Sequence, residues 1–199
     1  MKFKRSLPFL VTSLFVAMFS TAVMAQTTLR FGHANSPGEI AHDLYKEFAD
    51  NVTKKSGGQL VVRVFPSEQL GKEVDLLQQL KSGALDISSP SMPTLNSMVP
   101  AFEMPSAPFL WRDWKEAEAV IRGPAMEPIW TELKDKHNIV PLSKIWYWGW
   151  RNFTFSNKEV RKPEDMAGLK VRVPESPIWV EMVRGFGAAP TPIPFGEVY

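Results

Sequence analysis

From Thr28 to Ser88 the apolar pattern switches back and forth between a period of two and a period near four, and this alternation restricts the chain to few folds. Thr28 to His33 alternates as a strand does, and Ala34-Asn35-Ser36-Pro37-Gly38 follows as a loop. Ile40, Leu44, Phe48 and Val52 then recur at helical spacing, with Gly57-Gly58 beyond them as a stop. They predict an amphipathic helix whose apolar stripe is those four residues. A second strand is expected over 60–65 and a helix over 72–82, with Val74, Leu77 and Leu80 on one side and Gly83 as terminator. A short buried strand over 85–88 completes the series. Strands separated by helices require crossover connections, and those imply a parallel sheet in an α/β fold.

The rest of the chain is less regular. Residues 89–108 are rich in proline, serine and methionine and have no clear period. Asp113 has the position of an N-cap for a helix to Arg122, and Pro124 opens another that runs to Lys136. Ile139 to Trp150 is apolar and aromatic throughout, long for a strand, and predicts one that passes from a first domain to a second. Thr154-Phe155-Ser156 extends the same sheet, and residues 162–166 form a turn of helix. Gly168 to Val173 reads as a strand ended by Pro174. Ser176 then caps, and Pro177 starts, a helix to about Phe186. Pro190 to Pro194 is extended, and Phe195 to Tyr199 looks like a first helical turn. The expected organisation is a leader over 1–25, a first α/β domain over 26–145, and a hinge strand with the start of a second α/β domain over 146–199. A helix that breaks off in its first turn leaves apolar faces uncovered, so the second domain is read as incomplete.

The leader is read from Lys2, Lys4 and Arg5, the apolar run Leu7 to Val23, and Val23-Met24-Ala25, which places cleavage after Ala25. The run is short for a membrane span of about 20 residues, so export to the periplasm is favoured over anchoring. The whole chain carries a net charge of +2, and all three charges of the leader are positive, so the exported part is slightly acidic. Such a balance gives no reason to expect nucleic acid as a partner. With no cysteine there are no disulfides and no thiolate metal sites.

Tests for catalytic chemistry come out empty. His33, His42 and His137 do not pair at metal-ligand spacing, and no nucleophile elbow or phosphate loop is present. Gly185-Phe186-Gly187 closes a helix and does not open one, so it is no dinucleotide fingerprint. No metal, cofactor or catalytic residue is expected. Binding chemistry is better represented. Arg172 lies at the end of a strand, where open α/β sheets receive ligands, and a guanidinium is a two-pronged donor for a carboxylate. Arg151 closes the long apolar run and must reach solvent, a carboxylate or a ligand. His33, Asn35, Ser91 and Met92 follow strand ends and face the same crevice, as loop residues or as contacts. Glu73 starts a helix, where a carboxylate suits the dipole as well as it would suit a ligand. Alternation puts Trp146, Trp148 and Trp150 on one face, either a buried sheet face or, with Trp148 the candidate, a wall of the site.

Several ordered segments together resemble the periplasmic solute-binding proteins of TRAP transporters. They are Leu29-Arg30-Phe31-Gly32-His33, Phe65-Pro66-Ser67-Glu68-Gln69-Leu70-Gly71, Leu80-Lys81-Ser82-Gly83-Ala84-Leu85-Asp86, and above all Gly168-Leu169-Lys170-Val171-Arg172-Val173-Pro174 followed by Pro190 to Tyr199. The resemblance implies a periplasmic-binding-protein-like fold, with two α/β domains joined by hinge strands and closing on a small organic acid. It implies delivery of that acid to the TRAP membrane permease by a monomeric receptor without cofactor or catalysis. It makes Arg172 the principal partner of the ligand carboxylate, Arg151 a second arginine and Phe195 the pocket phenylalanine. Glu73 and Ser91 match contacts that vary within the family. A sensory binding protein and a periplasmic enzyme that uses the same cleft are the alternatives.

Overall fold

The structure is a computed structural model that describes residues 25–145, 149–156 and 158–198. Trp148 and the expected leader up to residue 24 lie outside the described residues. Strands β1 (Thr27–Gly32) and β2 (Leu60–Phe65) run parallel, in register from Thr27 opposite Leu60 to Gly32 opposite Phe65. Strand β3 (Ile87–Ser88) pairs on the other side of β1, which gives the order β2-β1-β3. The crossovers are α1 (Ile40–Lys55) and α2 (Glu73–Ser82). Gly83 ends α2 at φ 75°, a left-handed geometry that glycine adopts without steric cost. At the other end an ideal Cβ on Gly71 would lie 2.9 Å from the Asp75 Cβ, so only glycine lets Asp75 fold back and accept the Lys72 N–H at 3.1 Å.

The expected stripe of α1 is not the buried one. Ile40 is 80% exposed, Leu44 49% and Phe48 37%, whereas Tyr45 and Ala49 are buried against Phe31 and Val62 of the sheet. The stripe Ala41, Tyr45, Ala49, Val52 shares Val52 with the expected one and is one residue out of phase at its other three positions. Its two alanines let the helix axis approach the sheet closely, and the Tyr45 ring fills the remaining space 4.9 Å from that of Phe31.

The other side of α2 packs on a helical layer made of α3 (Met92–Leu95), a 3₁₀ turn over Pro100–Ser106, α4 (Trp114–Arg122) and α5 (Glu127–His137). Phe102 and Trp130 meet edge to face at 4.7 Å in its centre. Asp113 caps α4 as expected and accepts the Glu116 N–H at 2.8 Å. The long strand expected over 139–150 is not found among the described residues. A strand needs a ladder partner. Residues 139–145 have none and are held by side chains instead, with Ile139 and Ile145 against the helical core and the Arg122 guanidinium on the Ile145 carbonyl at 2.9 Å. Thr154 to Ser156 likewise form no strand.

A second parallel unit follows. Strand β4 (Lys170–Val173) pairs with β5 (Ala189–Pro192) through the crossover helix α6 (Pro177–Gly185). Its separate core is Met166, Val171, Val173, Val183 and Ala188. Ala189 and Ile193 donate to the carbonyls of Leu169, just before β4, and of Val173 at its end. The intervening Pro190 and Pro192 therefore turn away from β4 and offer no N–H on the outer edge of β5.

Candidate functional site

Parallel strands deliver their following loops to one edge of the sheet, and Asn35, Glu73, Ser91, Arg172 and Phe195 sit in or next to those loops, whereas Arg151 follows no strand among the described residues. The loops after β1 and β2 are stitched together: Ser67 N–H donates to the Asn35 carbonyl at 2.9 Å and Glu68 N–H to the His33 carbonyl at 3.1 Å. The Asn35 side chain is buried and donates to Glu39 Oε2 at 2.7 Å, so it is engaged within its own loop.

Glu73 and Ser91 are in direct contact. Glu73 Oε2 accepts the Ser91 N–H at 3.2 Å, the Ser91 hydroxyl at 2.7 Å and the Thr94 hydroxyl at 2.5 Å. One oxygen of this carboxylate is thereby satisfied by three donors and fixes the start of α3 against the start of α2. Thr94 completes the cluster, although it lies in the aperiodic stretch where the sequence carries no signal for it.

Arg151 approaches the same cluster. Its side chain is exposed, yet neighbouring protein atoms take away part of its hydration and lower its pKa, while the Glu73 charge pulls in the opposite direction. The Arg151 guanidinium lies 5.4 Å from the centre of the Trp179 ring of α6. Among the described residues no carboxylate comes within salt-bridge distance of it.

Arg172 is half-buried, and its Nε and Nη2 both donate to the Ile193 carbonyl, at 2.9 and 2.6 Å. Two contacts to one oxygen fix the plane of the guanidinium, which carries five N–H groups in all. Phe195, two residues beyond Ile193, opens a 3₁₀ turn over Phe195–Glu197 and is half-buried. That turn is tied to the first unit: Gly196 N–H donates to Glu68 Oε1 at 3.1 Å, and Lys72 Nζ lies 2.5 Å from Glu197 Oε1. A further tie joins the start of α6 to Glu103 in the 3₁₀ turn over Pro100–Ser106.

His33 and His42, read from spacing as unpaired, are neighbours. Packing α1 on β1 brings His42 Nδ1 to 3.3 Å from His33 Nε2 inside the protein. Burial, reinforced by His42 and opposed by Glu39, lowers the His33 pKa to about 4. Beside them the Tyr45 hydroxyl donates to Ser89 Oγ at 2.8 Å, and burial pushes its pKa up to about 12. No group of three or more metal-ligating side chains occurs among the described residues. The two best-formed surface hollows, about 550 Å³ beside Pro124 and Glu127 and about 380 Å³ beside Phe48 and Leu60, are lined by none of the site residues.

The family profile for "Bacterial extracellular solute-binding protein, family 7" matches residues 31–199. The chain belongs to this family. Among curated members, the 2,3-diketo-L-gulonate-binding periplasmic protein YiaO of Escherichia coli K12 is 32% identical over 186 residues, which cover 92% of this chain and 56% of that protein. Among solved structures, a TRAP periplasmic solute-binding protein of Xanthobacter autotrophicus Py2 with bound beta-D-galacturonate is 36% identical, with a TM-score of 0.76 over 85% of this chain and 56% of that one. A TRAP periplasmic solute-binding protein of Sulfurospirillum deleyianum with bound succinate is 30% identical, with a TM-score of 0.81 over 88% of this chain and 56% of that one. The chain thus spans about half the length of the relatives it matches. The two parallel units are those of an α/β periplasmic binding protein, and the relatives are binding proteins, not enzymes.

In this family 7 member the candidate side chains fall into two groups. One, from the first unit, is a hydrogen-bonding surface of Glu73, Ser91 and Thr94 with a net negative charge. The other holds Arg172 with its guanidinium plane fixed, and Phe195 beside it. Glu68 and Glu103 carry no mark in the sequence because their partners lie 128 and 75 positions away.

Proposed function

We propose that this chain forms the ligand-capturing part of a periplasmic receptor for a small hydroxylated organic acid, which it delivers to a TRAP-type membrane permease. The leader is cleaved after Ala25, and the receptor works as a monomer without cofactor or metal. The observation that carries this reading is Arg172, a strand-end guanidinium held in one plane by the Ile193 carbonyl. Arg151 is the second donor. A charge-assisted hydrogen bond contributes about 1.5–3 kcal/mol net, and micromolar affinity requires about 8 kcal/mol. With one such bond each the two arginines fall short, and enclosure by Phe195 and Trp179 must supply the remainder, at about 1.5–3 kcal/mol for each fully covered apolar side chain.

The choice of a hydroxylated acid rests on Glu73. A second carboxylate on the ligand would meet its charge, whereas a hydroxyl would find an acceptor there and hydroxyl partners in Ser91 and Thr94. The relatives' ligands, a diketo sugar acid and galacturonate among them, support this class, and succinate is its competitor. Titration calorimetry of the full-length protein against galacturonate, gluconate and succinate tests it. Binding of a hydroxylated acid, lost in Arg172→Ala, is the expected result. Undiminished affinity in that variant, or a preference for succinate, overturns the assignment.

A further inference from the structure

We infer that Glu68 is a positioning residue which clamps the Phe195 turn onto the first unit, so that the clamp holds the two walls of the cleft together. This rests on the reading of the chain as a two-walled receptor. Four observations converge on the clamp. The Glu68 carboxylate accepts the Gly196 N–H at 3.1 Å although the two residues are 128 positions apart. It lies so flat against the Gly196 α-carbon that an added Cβ would fall inside it. Lys72, four residues beyond Glu68, and Glu197, next to Gly196, form an ion pair at 2.5 Å. Ser67 and Glu68 both hold left-handed backbones, φ 52° and 57°, which is uncommon for residues with a Cβ.

The division of labour follows from exposure. The Lys72–Glu197 pair is half-exposed on both sides, so it steers and registers the contact more than it stabilises it. The Glu68 carboxylate is partly desolvated, which raises its pKa, and the Gly196 N–H compensates. Gly196 itself has no positive φ, so alanine there meets no backbone obstacle and must instead push the Glu68 carboxylate, the end of a flexible side chain, out of its place. The strained Ser67-Glu68 pair is kept because it aims the carboxylate across the gap. Phe195 is the first residue of the clamped turn, so whatever fixes Gly196 and Glu197 also fixes the ring.

Cysteines introduced at Lys81 and Lys170, both exposed, in a full-length protein with any other cysteine replaced by serine, accept spin labels at defined places on the two units. Pulsed dipolar spectroscopy on the full-length protein without any added acid then reads the spacing of the units. Gly196→Ala is expected to lengthen and broaden the distance distribution. Glu68→Ala is expected to broaden it as well, and the double variant to match Glu68→Ala alone, because the obstacle to the new methyl is gone. Circular dichroism checks that each variant is folded, and Lys72→Glu with Glu197→Lys serves as a second pair, broad singly and narrow together. Unchanged distributions in Gly196→Ala and in Lys72→Glu overturn the clamp. A clamp that behaves as expected in a protein that binds no organic acid leaves this inference standing and removes the proposed ligand class instead.

Discussion

Glu103 Oε1 accepts the Ile178 N–H at 2.6 Å, so a carboxylate of the first unit closes the N-terminus of a helix 75 residues further on. The same oxygen accepts the Ser176 hydroxyl at 2.7 Å, and Asn96 donates to the other one. Ser176 stands at the N-cap but does not cap; its hydroxyl is spent on Glu103, which caps in its place. A helix N-terminus beyond a strand end is a natural anion site. Here that site is already filled, which leaves a ligand carboxylate to the arginines.

Removing this carboxylate should loosen the second unit. Glu103→Ala deletes a cap, a loss of about 0.5–2 kcal/mol, and strands the buried Ser176 hydroxyl at about 1–3 kcal/mol. Urea unfolding should show a loss of roughly 2–4 kcal/mol. Glu103→Gln keeps an acceptor for Ile178, and Asn96 can rotate its amide to suit, so it should lose less than half as much. Equal losses in the two variants would show that charge, and not the cap geometry, matters.

Arg172→Lys separates charge from geometry. Lysine keeps the positive charge but not the planar fork that the Ile193 carbonyl orients. Loss of one charge-assisted hydrogen bond, about 1.5–3 kcal/mol, corresponds to a fall in affinity of roughly 10- to 150-fold. Calorimetry with galacturonate reads it, and a change below threefold would mean that charge alone suffices.

What could be read in advance divides along a physical line. Strand β2 over 60–65, the Asp113 cap and the Gly83 terminator were legible because each depends on residues within one turn or strand. The face of α1 was not, because two stripes one residue apart have the same period and only the sheet beneath decides between them. The strand expected over 139–150 failed for a related reason, since apolar composition cannot supply a ladder partner. In the site, the strand-end rule led to Ser91 and the helix-start position to Glu73, and the two do meet. Glu68 and Glu103 carried no local mark: their partners stand 128 and 75 positions away.

Glu73→Gln tests the source of ligand selectivity. The amide still accepts from Ser91 and Thr94 through its oxygen, so the start of α3 should stay in place. The negative charge that faces Arg151 is gone, however. The ratio of succinate to galacturonate affinity should rise by about tenfold, the equivalent of about 1.4 kcal/mol. Competition measurements on the folded variant read this ratio directly, and an unchanged ratio would show that Glu73 does not discriminate between the two classes.

Acid should destabilise the protein through His33. In the folded state burial holds its pKa at about 4, against an ordinary value of 6.5, so between these values the unfolded chain binds the extra proton. Stability is therefore complete above about pH 7, falls as the pH drops through 6.5, and stops falling from this cause near pH 4. The depression of about 2.5 pH units corresponds to a loss of about 3 kcal/mol. His42, Glu39 and Tyr45 face the ring, and His42 is the one whose charge adds to the effect. Urea unfolding at pH 7.5, 5.5 and 4 reads the loss. His33→Phe fits a ring already packed on Phe31 and Tyr45 and cannot titrate, so it should lower stability at pH 7.5, where His42 loses its partner, yet flatten the decline toward pH 4. A variant whose decline is as steep as that of the wild type would place the acid sensitivity in another group.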